Sequence, residues 1–273
     1  MKIRIEWAPE FIMAAALFWM IIIGAHMGII TADSHSQAAE RRGDAASEDT
    51  GGNKDGNKKE KGMKALPGEY KIEDFEIILQ TPELPTGCEI TALTMVLNYY
   101  GMNADKIQMA EKYLPSAPAE FYEGSDSLLY GPDLNQYFVG DPALSNGYIC
   151  GTKAICTAAD RYFLKEKKPL RAADETGVSE EELYRLVSED TPVIVWVTIN
   201  MEERREPEGW YTKEGEYVSW ASNDHGAVLI GYTEASVLIA DPIGGMMEYD
   251  KKAFEEVFES RGRQCVLLQE QSK

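Results

Sequence analysis

Histidine is scarce in this chain of 273 residues, and two of its three histidines, His26 and His35, lie near the amino terminus. The folded part therefore has one imidazole, His225, which excludes a zinc site built from two or three histidines. Basic residues are also few, since 27 Lys and Arg face 46 Asp and Glu. Nucleic-acid binding needs clustered Lys and Arg, so we expect no DNA or RNA partner. Phosphate-binding motifs such as GxGxxG are missing, and we expect neither a cofactor nor a metal.

Cysteine is limited to four residues, Cys88, Cys150, Cys156 and Cys265, and none of them form a CxxC pair. A domain spanning residues 65–273 is large enough to be stabilised by its hydrophobic core without disulfides. A bridge between Cys150 and Cys156 stays open as an alternative.

Residues 11–30, FIMAAALFWMIIIGAHMGII, form a run of 20 residues without a charge. As a helix this run would extend about 30 Å, enough to cross a bilayer. The core of a cleavable signal peptide is usually about 7–15 residues long, which favours an anchor, although residues 30–32 are a passable cleavage site. Lys2 and Arg4 precede the run and favour a cytoplasmic amino terminus. We therefore expect residues 1–32 to be a signal peptide or transmembrane anchor that exports the rest, leaving it secreted or on the outer face of the membrane.

Residues 33–64 are rich in Gly, Ser, Asp, Asn and Lys and contain almost no large apolar side chain. Such a segment cannot bury enough surface to offset its ordering entropy, so we expect a disordered linker. The first 64 residues hold nine acids and nine bases, so the whole acidic excess of 19 belongs to residues 65–273, the predicted folded domain. We interpret this excess as a means of staying soluble, and a preference for basic substrates is the alternative.

Helices precede most strands in the folded part, which is typical of an α+β fold. Helices are predicted from residue 86 to Gly101 and at about residues 103–113, 151–165, 179–189 and 250–260. Strands are predicted at residues 192–199, 226–232, 236–242, 245–250 and 264–270. Turn residues separate the middle three strands at hairpin spacing, so we expect an antiparallel sheet.

The first helix has the clearest signals in the sequence. Thr86 is the predicted N-cap, Glu89 completes a capping box, and Gly101 ends the helix. Between them ITALTMVLNYY is apolar almost all round, which predicts a buried, central helix. Cys88 would lie in the first turn, where unpaired N–H groups and the helix dipole lower the pKa of a thiol. We interpret Cys88 as a candidate nucleophile, and a structural cysteine is the alternative.

A second candidate group lies on the hairpin formed by the strands at 226–232 and 236–242. His225 starts one strand and Asp241 ends the other, and pairing around residue 233 would place the two directly opposite each other. A carboxylate in that position fixes the tautomer of a histidine and stabilises its imidazolium form. The alternative is a core histidine without a chemical role.

Gln80 follows the apolar, strand-like run at residues 75–79 and precedes Cys88 by eight residues. Its side-chain amide could join the backbone N–H of Cys88 as an oxyanion hole, although a glutamine before a turn is more often simply solvated.

Aromatic residues are frequent between the 192–199 strand and His225. They could form the wall of a substrate groove, but we favour a rigid surface loop with buried rings. The residues concerned are Trp196, Trp210, Tyr211, Tyr217 and Trp220.

Four segments together resemble a known family: QTPELPTGCEITALTMVLNYYG, PVIVWVTI, HGAVLIGY and IADP. They are similar to the C-39-like cysteine peptidases, stand-alone relatives of the bacteriocin-processing double-glycine leader peptidases within the papain superfamily. The resemblance runs from Gln80 to about residue 268. It implies a papain-like fold in which a central helix carries the nucleophile and an antiparallel sheet carries the base. It also implies that Cys88 is the nucleophile, His225 the base, Asp241 the orienting carboxylate and Gln80 the oxyanion residue.

We therefore expect an exported cysteine peptidase that hydrolyses a peptide or isopeptide bond in a peptide or protein substrate. Nothing in the sequence implies an obligate oligomer. Two alternatives remain open, a non-catalytic peptide-binding module of the same fold and an acyl transferase in which an amine resolves the thioester.

Overall fold

The computed structural model describes residues 65–271 of the chain. The predicted export segment at residues 1–32 and the predicted linker at residues 33–64 lie outside this range. No helix within residues 65–271 combines the length and the apolar character that a bilayer span requires.

The described part contains helices and strands throughout its length. The helices are α1 (Cys88–Tyr99), α2 (Lys106–Gln108), α3 (Thr152–Glu166), α4 (Glu180–Ser188) and α5 (Lys251–Ser260). The strands are β1 (Tyr70–Lys71), β2 (Ser116–Ala117), β3 (Tyr122–Glu123), β4 (Leu129–Tyr130), β5 (Phe138–Val139), β6 (Leu170–Asp174), β7 (Val193–Thr198), β8 (Glu208–Tyr211), β9 (Tyr217–Trp220), β10 (Asp224–Tyr232), β11 (Ser236–Asp241), β12 (Gly245–Asp250) and β13 (Cys265–Glu270). A π-helical turn, Met109–Tyr113, continues α2.

The main sheet has seven strands and is antiparallel throughout. Its order is β12-β11-β10-β7-β13-β6, and β1 pairs with β10 as well. A smaller sheet has the order β3-β4-β8-β9, and β2 pairs with β5 in parallel. The predicted α+β class and the predicted antiparallel hairpins are confirmed.

The centre of the core is α1, which packs against β10 and β7. Residues 88–97 of this helix are all buried, as are all residues of β7 and β10. An apolar helix and two strands that are buried on both faces can only occupy the interior, because exposing them would forfeit about 25 cal/mol for each Å² of apolar surface. Gly101 has a φ of +73° just after the helix, so the predicted stop is confirmed.

Several predicted elements differ from the structure. The apolar run at residues 75–79 is irregular rather than a strand, and Phe75, Ile77 and Ile78 pack on the core while Leu79 is exposed. The predicted helix at 103–113 is a short α-helix followed by a π-helical turn. Strand β6 and the β8–β9 hairpin were not predicted, because their sequences carry more polar residues than the central strands do.

Candidate active site

Cys88 is the first residue of α1, and its N-cap is Gly87 rather than the predicted Thr86. The Thr86 hydroxyl instead donates a hydrogen bond to the carbonyl of Leu144 at 2.9 Å. The Glu89 side chain turns inward and is completely buried. The predicted capping box is therefore wrong, because the Thr86 hydroxyl bonds to Leu144 and the Glu89 side chain is buried in the interior.

The loop before α1 is held against a second loop at Gly87. A Cβ atom at Gly87 would lie 2.9 Å from Leu84 Cβ and 3.3 Å from Pro142 Cβ. The Thr86 N–H donates to the Pro142 carbonyl at 3.3 Å. A glycine at this position lets the two loops meet directly beside the cysteine.

His225 and Asp241 are in contact, as their positions at the start of β10 and the end of β11 predict. His225 Nε2 lies 3.1 Å from Asp241 Oδ1, and both side chains are buried. The same carboxylate oxygen accepts the backbone N–H groups of Ile243 at 2.6 Å and Gly244 at 3.1 Å. These bonds fix the position of the carboxylate. Because Nε2 of His225 contacts Asp241, Nδ1 is the ring nitrogen that does not bind this carboxylate.

The register of this hairpin differs from the prediction. Val228 pairs with Ala240, and a bulge between Leu229 and Gly231 adds one residue to β10. The pairs beside the turn, Tyr232 with Val237 and Gly231 with Leu238, already shift the register by three residues from the predicted one, and the bulge reduces this shift to two. His225 is therefore two residues away from the position directly opposite Asp241, and the two side chains meet diagonally across the strands.

The Cys88 sulfur lies beside the start of β10. Gly226, which follows His225, donates its backbone N–H to Cys88 Sγ at 3.4 Å. A Cβ atom at Gly226 would lie only 2.7 Å from Glu89 Cγ, so a glycine is needed for this approach of strand and helix. Within residues 65–271 no hydrogen bond joins Sγ to the imidazole itself, and the sulfur is linked to β10 through the Gly226 N–H.

The electrostatic surroundings of Cys88 contradict one prediction. Its pKa lies well above the ordinary thiol value, first because the side chain is buried and next because of the negative charge of Glu89. The Gly226 N–H acts in the opposite direction but does not compensate. The expected lowering of the thiol pKa by the start of the helix is therefore outweighed by burial and by the charge of Glu89.

Asp241 keeps its negative charge despite its burial. Burial alone would raise the pKa of its carboxyl, but the hydrogen bond and charge of His225 and the N–H groups of Ile243 and Gly244 lower it overall. The carboxylate can therefore stabilise a positive charge on the imidazole.

Gln80 is buried and connects the parts of this region. Its backbone N–H donates to the carbonyl of Pro242, the neighbour of Asp241, at 2.8 Å. Its side-chain Nε2 donates to the carbonyl of Pro85 at 2.8 Å, and its Oε1 has no partner among the described residues. The interpretation of Gln80 as a solvated residue is excluded by its burial, and one amide hydrogen remains available for another acceptor.

Asp224 holds the residue next to it, His225, in place, and the sequence did not point to this role. Arg204 binds both of its carboxylate oxygens, at 2.8 Å and 2.9 Å, and Arg261 Nε lies 3.2 Å from Oδ1. The Ala221 N–H donates to Oδ2 at 2.9 Å. The position of Asp224 directly before the one histidine of the domain could have indicated this role. Its arginine partners could not be predicted, because they are distant in sequence.

The aromatic segment before β10 is a hairpin of β8 and β9 rather than a loop. Trp210 is buried and its ring packs edge-on against Phe121 and Tyr148. Trp196 is fully buried in β7, and its Nε1 donates to the carbonyl of Cys150 at 2.7 Å. The buried rings that we favoured are confirmed for these two tryptophans.

All four cysteines are free thiols, so the open alternative of a Cys150–Cys156 bridge is not formed. A largely apolar groove of about 700 Å³ adjoins the loops before the cysteine, with Leu84, Pro142 and Leu144 in its lining. Within residues 65–271 no cluster of three or more His, Cys, Asp or Glu side chains is arranged to hold a metal ion.

Comparison with known proteins shows one consistent similarity. A model of the Peptidase_C39 like family matches residues 72–266. The uncharacterized protein YvpB of Bacillus subtilis (strain 168) is 30% identical over 209 residues, which cover 76% of this chain and 79% of YvpB. The crystal structure of a candidate C39-like peptidase from Bacillus anthracis superposes with a TM-score of 0.65 at 30% identity, covering 75% of this chain and 99% of that one. Xylellain, a cysteine protease from Xylella fastidiosa, has a TM-score of 0.39 at 11% identity, which is too distant to bear on function.

Proposed function

Because this chain belongs to the Peptidase_C39 like family and has a papain-like fold, we propose that it is a cysteine peptidase that hydrolyses a peptide or isopeptide bond. Its nucleophile is Cys88, its general base is His225, and Asp241 orients the base. The observation that carries this proposal is the joining of the His225–Asp241 pair to the Cys88 sulfur through one residue, Gly226.

The first half of the reaction is acylation. His225 accepts the thiol proton while the Cys88 sulfur bonds to the carbonyl carbon of the substrate. Because burial raises the pKa of the Cys88 thiol, we assign the proton transfer to the same step as the attack, and Asp241 stabilises the imidazolium that forms. The imidazolium then gives its proton to the leaving amine, the carbon–nitrogen bond breaks, and a thioester remains.

The second half is hydrolysis of that thioester. His225 takes a proton from water as the oxygen bonds to the carbonyl carbon, and the proton passes to the departing sulfur. In both halves a negative charge develops on the carbonyl oxygen. The free amide hydrogen of Gln80 and the backbone N–H of Cys88, which has no partner within its helix, are the donors we assign to that oxygen.

A peptide substrate agrees with the surface beside these residues. Two residues in the lining of the apolar groove, Leu84 and Pro142, also lie next to Gly87, the residue before the nucleophile. A groove of this kind fits an extended peptide segment that carries apolar side chains.

The proposal is tested by incubating the full-length chain with a peptide library and identifying the products by mass spectrometry. We expect new termini with the unmodified chain and with Cys156→Ala, which removes a more exposed thiol far along the sequence, and none with Cys88→Ala. Cleavage that persists in a folded Cys88→Ala protein would contradict the proposal. Binding of library peptides without cleavage by the unmodified chain would favour the peptide-binding module.

We also propose that residues 1–32 export the domain, either as an anchor or as a cleaved signal peptide. This rests on the uncharged run at residues 11–30 and on the acidic excess of the remaining chain. Cell fractionation and amino-terminal sequencing of the mature protein test it. Recovery of the intact chain from the cytosol would contradict it.

A further inference from the structure

Glu89 is a buried carboxylate that the proposed reaction does not use. Its residue is 0% exposed, although it directly follows the cysteine in the first turn of α1. Its Oε1 accepts one long hydrogen bond, from the Cys150 N–H at 3.4 Å, and its Oε2 has no partner among the described residues. Burying a carboxylate with so little compensation costs several kcal/mol, so stability does not explain its presence.

The position of Glu89 is set by the same close contact that brings the sulfur to β10. A Cβ at Gly226 would meet Glu89 at three atoms, Cγ at 2.7 Å, Cα at 3.1 Å and the backbone nitrogen at 3.2 Å. The Gly226 N–H binds the Cys88 sulfur. The carboxylate is therefore held at the junction of the helix that carries the thiol and the strand that carries the imidazole.

The groups around Glu89 come from four segments. The thiol of Cys88 lies on the same helix, His225 lies on β10, Cys150 precedes α3, and Arg261 follows α5. The guanidinium of Arg261 is the one permanent positive charge in this set.

Arg261 does not neutralise Glu89, because its charge is engaged elsewhere. Arg261 Nε lies 3.2 Å from Asp224 Oδ1, the same oxygen that Arg204 binds at 2.8 Å. Its interaction with Glu89 is one of charge at a distance. A carboxylate without a cationic hydrogen-bond donor is left to act mainly on the thiol and on the imidazole.

We propose that Glu89 is a positioning residue whose buried carboxylate controls the protonation state of the Cys88 thiol. When it is ionised, its negative charge keeps the Cys88 thiol protonated. When it is protonated, the thiol loses its proton more easily. The effect of Glu89 on the titration of the thiol does not depend on the proposed function, since the thiol titrates whether or not a peptide is cleaved. Only the consequence of this effect for catalysis rests on the proposed function.

The carboxyl of Glu89 changes its charge near neutral pH, where it can affect the protonation of the Cys88 thiol. Burial raises the pKa of its carboxyl to about 7, while neighbouring N–H groups and the charge of His225 act in the opposite direction. The same carboxylate raises the pKa of the Cys88 thiol. The two groups are thus coupled, and the thiol must respond to the charge on Glu89 near neutral pH.

The substitution Glu89→Gln tests this coupling, because it keeps the shape of the side chain and the acceptor for Cys150 while removing the charge. The rate of alkylation of Cys88 by iodoacetamide is measured on the full-length chain between about pH 5 and pH 11, so that the range extends above the ordinary pKa of a thiol, and the modified peptide is identified by mass spectrometry. We expect the midpoint to move to lower pH by about one pH unit or more, and the rate at pH 7 to rise about tenfold.

Glu181→Gln is the matched control, because it removes one exposed carboxylate from the first turn of another helix. Its profile should coincide with that of the unmodified chain. An unchanged midpoint in folded Glu89→Gln would overturn the inference. If Glu89→Gln does not fold, the profile of the unmodified chain decides: two steps, the lower near pH 7, support the inference, and a single step overturns it.

The outcome is independent of the peptidase assignment. A shifted alkylation midpoint with no peptide cleaved would remove the proposed function and leave this inference standing. Peptide cleavage with an unshifted midpoint would do the reverse.

Discussion

The backbone N–H of Gly226 points at the sulfur of Cys88 across 3.4 Å, and this bond links the strand of the base to the helix of the nucleophile. The link depends on the missing side chain of Gly226, since a Cβ there would overlap with Glu89. Helix α1 and strand β10 are far apart in the sequence, so their alignment rests on this close packing. The geometry of the candidate site is thus determined by a glycine that takes no part in the chemistry.

Gly226→Ala should separate α1 from β10. The added methyl group would lie 2.7 Å from Glu89 Cγ, and overpacking of this kind costs about 1–3 kcal/mol of unfolding free energy. Chemical denaturation should show this loss. The rate of peptide cleavage should fall by a larger factor than the fraction of folded protein does. Gly68→Ala is the control, because its Cβ would have an ordinary contact at 3.8 Å. Equal behaviour of the two variants would contradict the assigned role of Gly226.

Asp241→Asn should lower kcat by about a hundredfold or more and leave KM nearly unchanged. An asparagine still reaches Nε2 of His225, but it lacks the negative charge that stabilises the imidazolium. Steady-state kinetics on a cleaved peptide measure this effect, with the exposed Asp126→Asn as control. A kcat within a factor of a few of the unmodified value would show that Asp241 has no part in the reaction.

Gln80→Ala should lower kcat by about a hundredfold, which is typical of the loss of one oxyanion donor. The buried site also loses the hydrogen bond to the Pro85 carbonyl, so thermal unfolding is followed in parallel. Gln108→Ala, at an exposed position on α2, is the matched control. An intact kcat in a folded Gln80→Ala protein would remove this residue from the oxyanion site.

The stability of the folded domain should fall as the pH rises toward neutrality because of Glu89. Its pKa is about 7 in the folded protein against an ordinary value of 4.5, so the folded state binds this proton more tightly than the unfolded state does. The stabilising effect of that proton is complete below about pH 4.5 and is lost as the pH passes 7. Relative to the unmodified chain, Glu89→Gln should gain about 2–3 kcal/mol of unfolding free energy between pH 4.5 and pH 8. Chemical denaturation at both pH values measures the gain, and a difference that does not depend on pH would contradict it.

Local sequence signals predicted the central features of the fold. The apolar helix predicted between Thr86 and Gly101 and the hairpin of β10 and β11 are encoded by patterns within a few residues, and both are present, the helix as Cys88–Tyr99. The contact of His225 with Asp241 follows from that hairpin, even though the predicted register was wrong. The register depends on where the turn closes, at the Tyr232–Val237 pair, and on the bulge after Leu229. The bulge has no signal in a single sequence, because the pleat tolerates one extra residue wherever the neighbouring strands allow it.

The features that the sequence did not predict depend on distant contacts. Thr86 has the properties of an N-cap, but the Leu144 carbonyl takes its hydroxyl. The helix start at Cys88 should lower the pKa of the thiol, but burial and the charge of Glu89 raise it. The clamp of Arg204 on Asp224 joins residues 20 apart, and only the folded chain brings them together. In each case contacts with distant parts of the chain decide the outcome, through hydrogen bonds or through burial. A local sequence pattern contains no information about these distant parts.

The most direct measurement for the proposed chemistry is the site of a covalent acyl-enzyme. The full-length chain is incubated with a thiol-directed acylating peptide probe, and the modified residue is located by mass spectrometry. The probe should be found on Cys88, and its attachment should be lost in His225→Ala but kept in Cys156→Ala. A probe attached to Cys156, Cys150 or Cys265 instead of Cys88, or attachment to Cys88 that is unaffected by His225→Ala, would contradict the account.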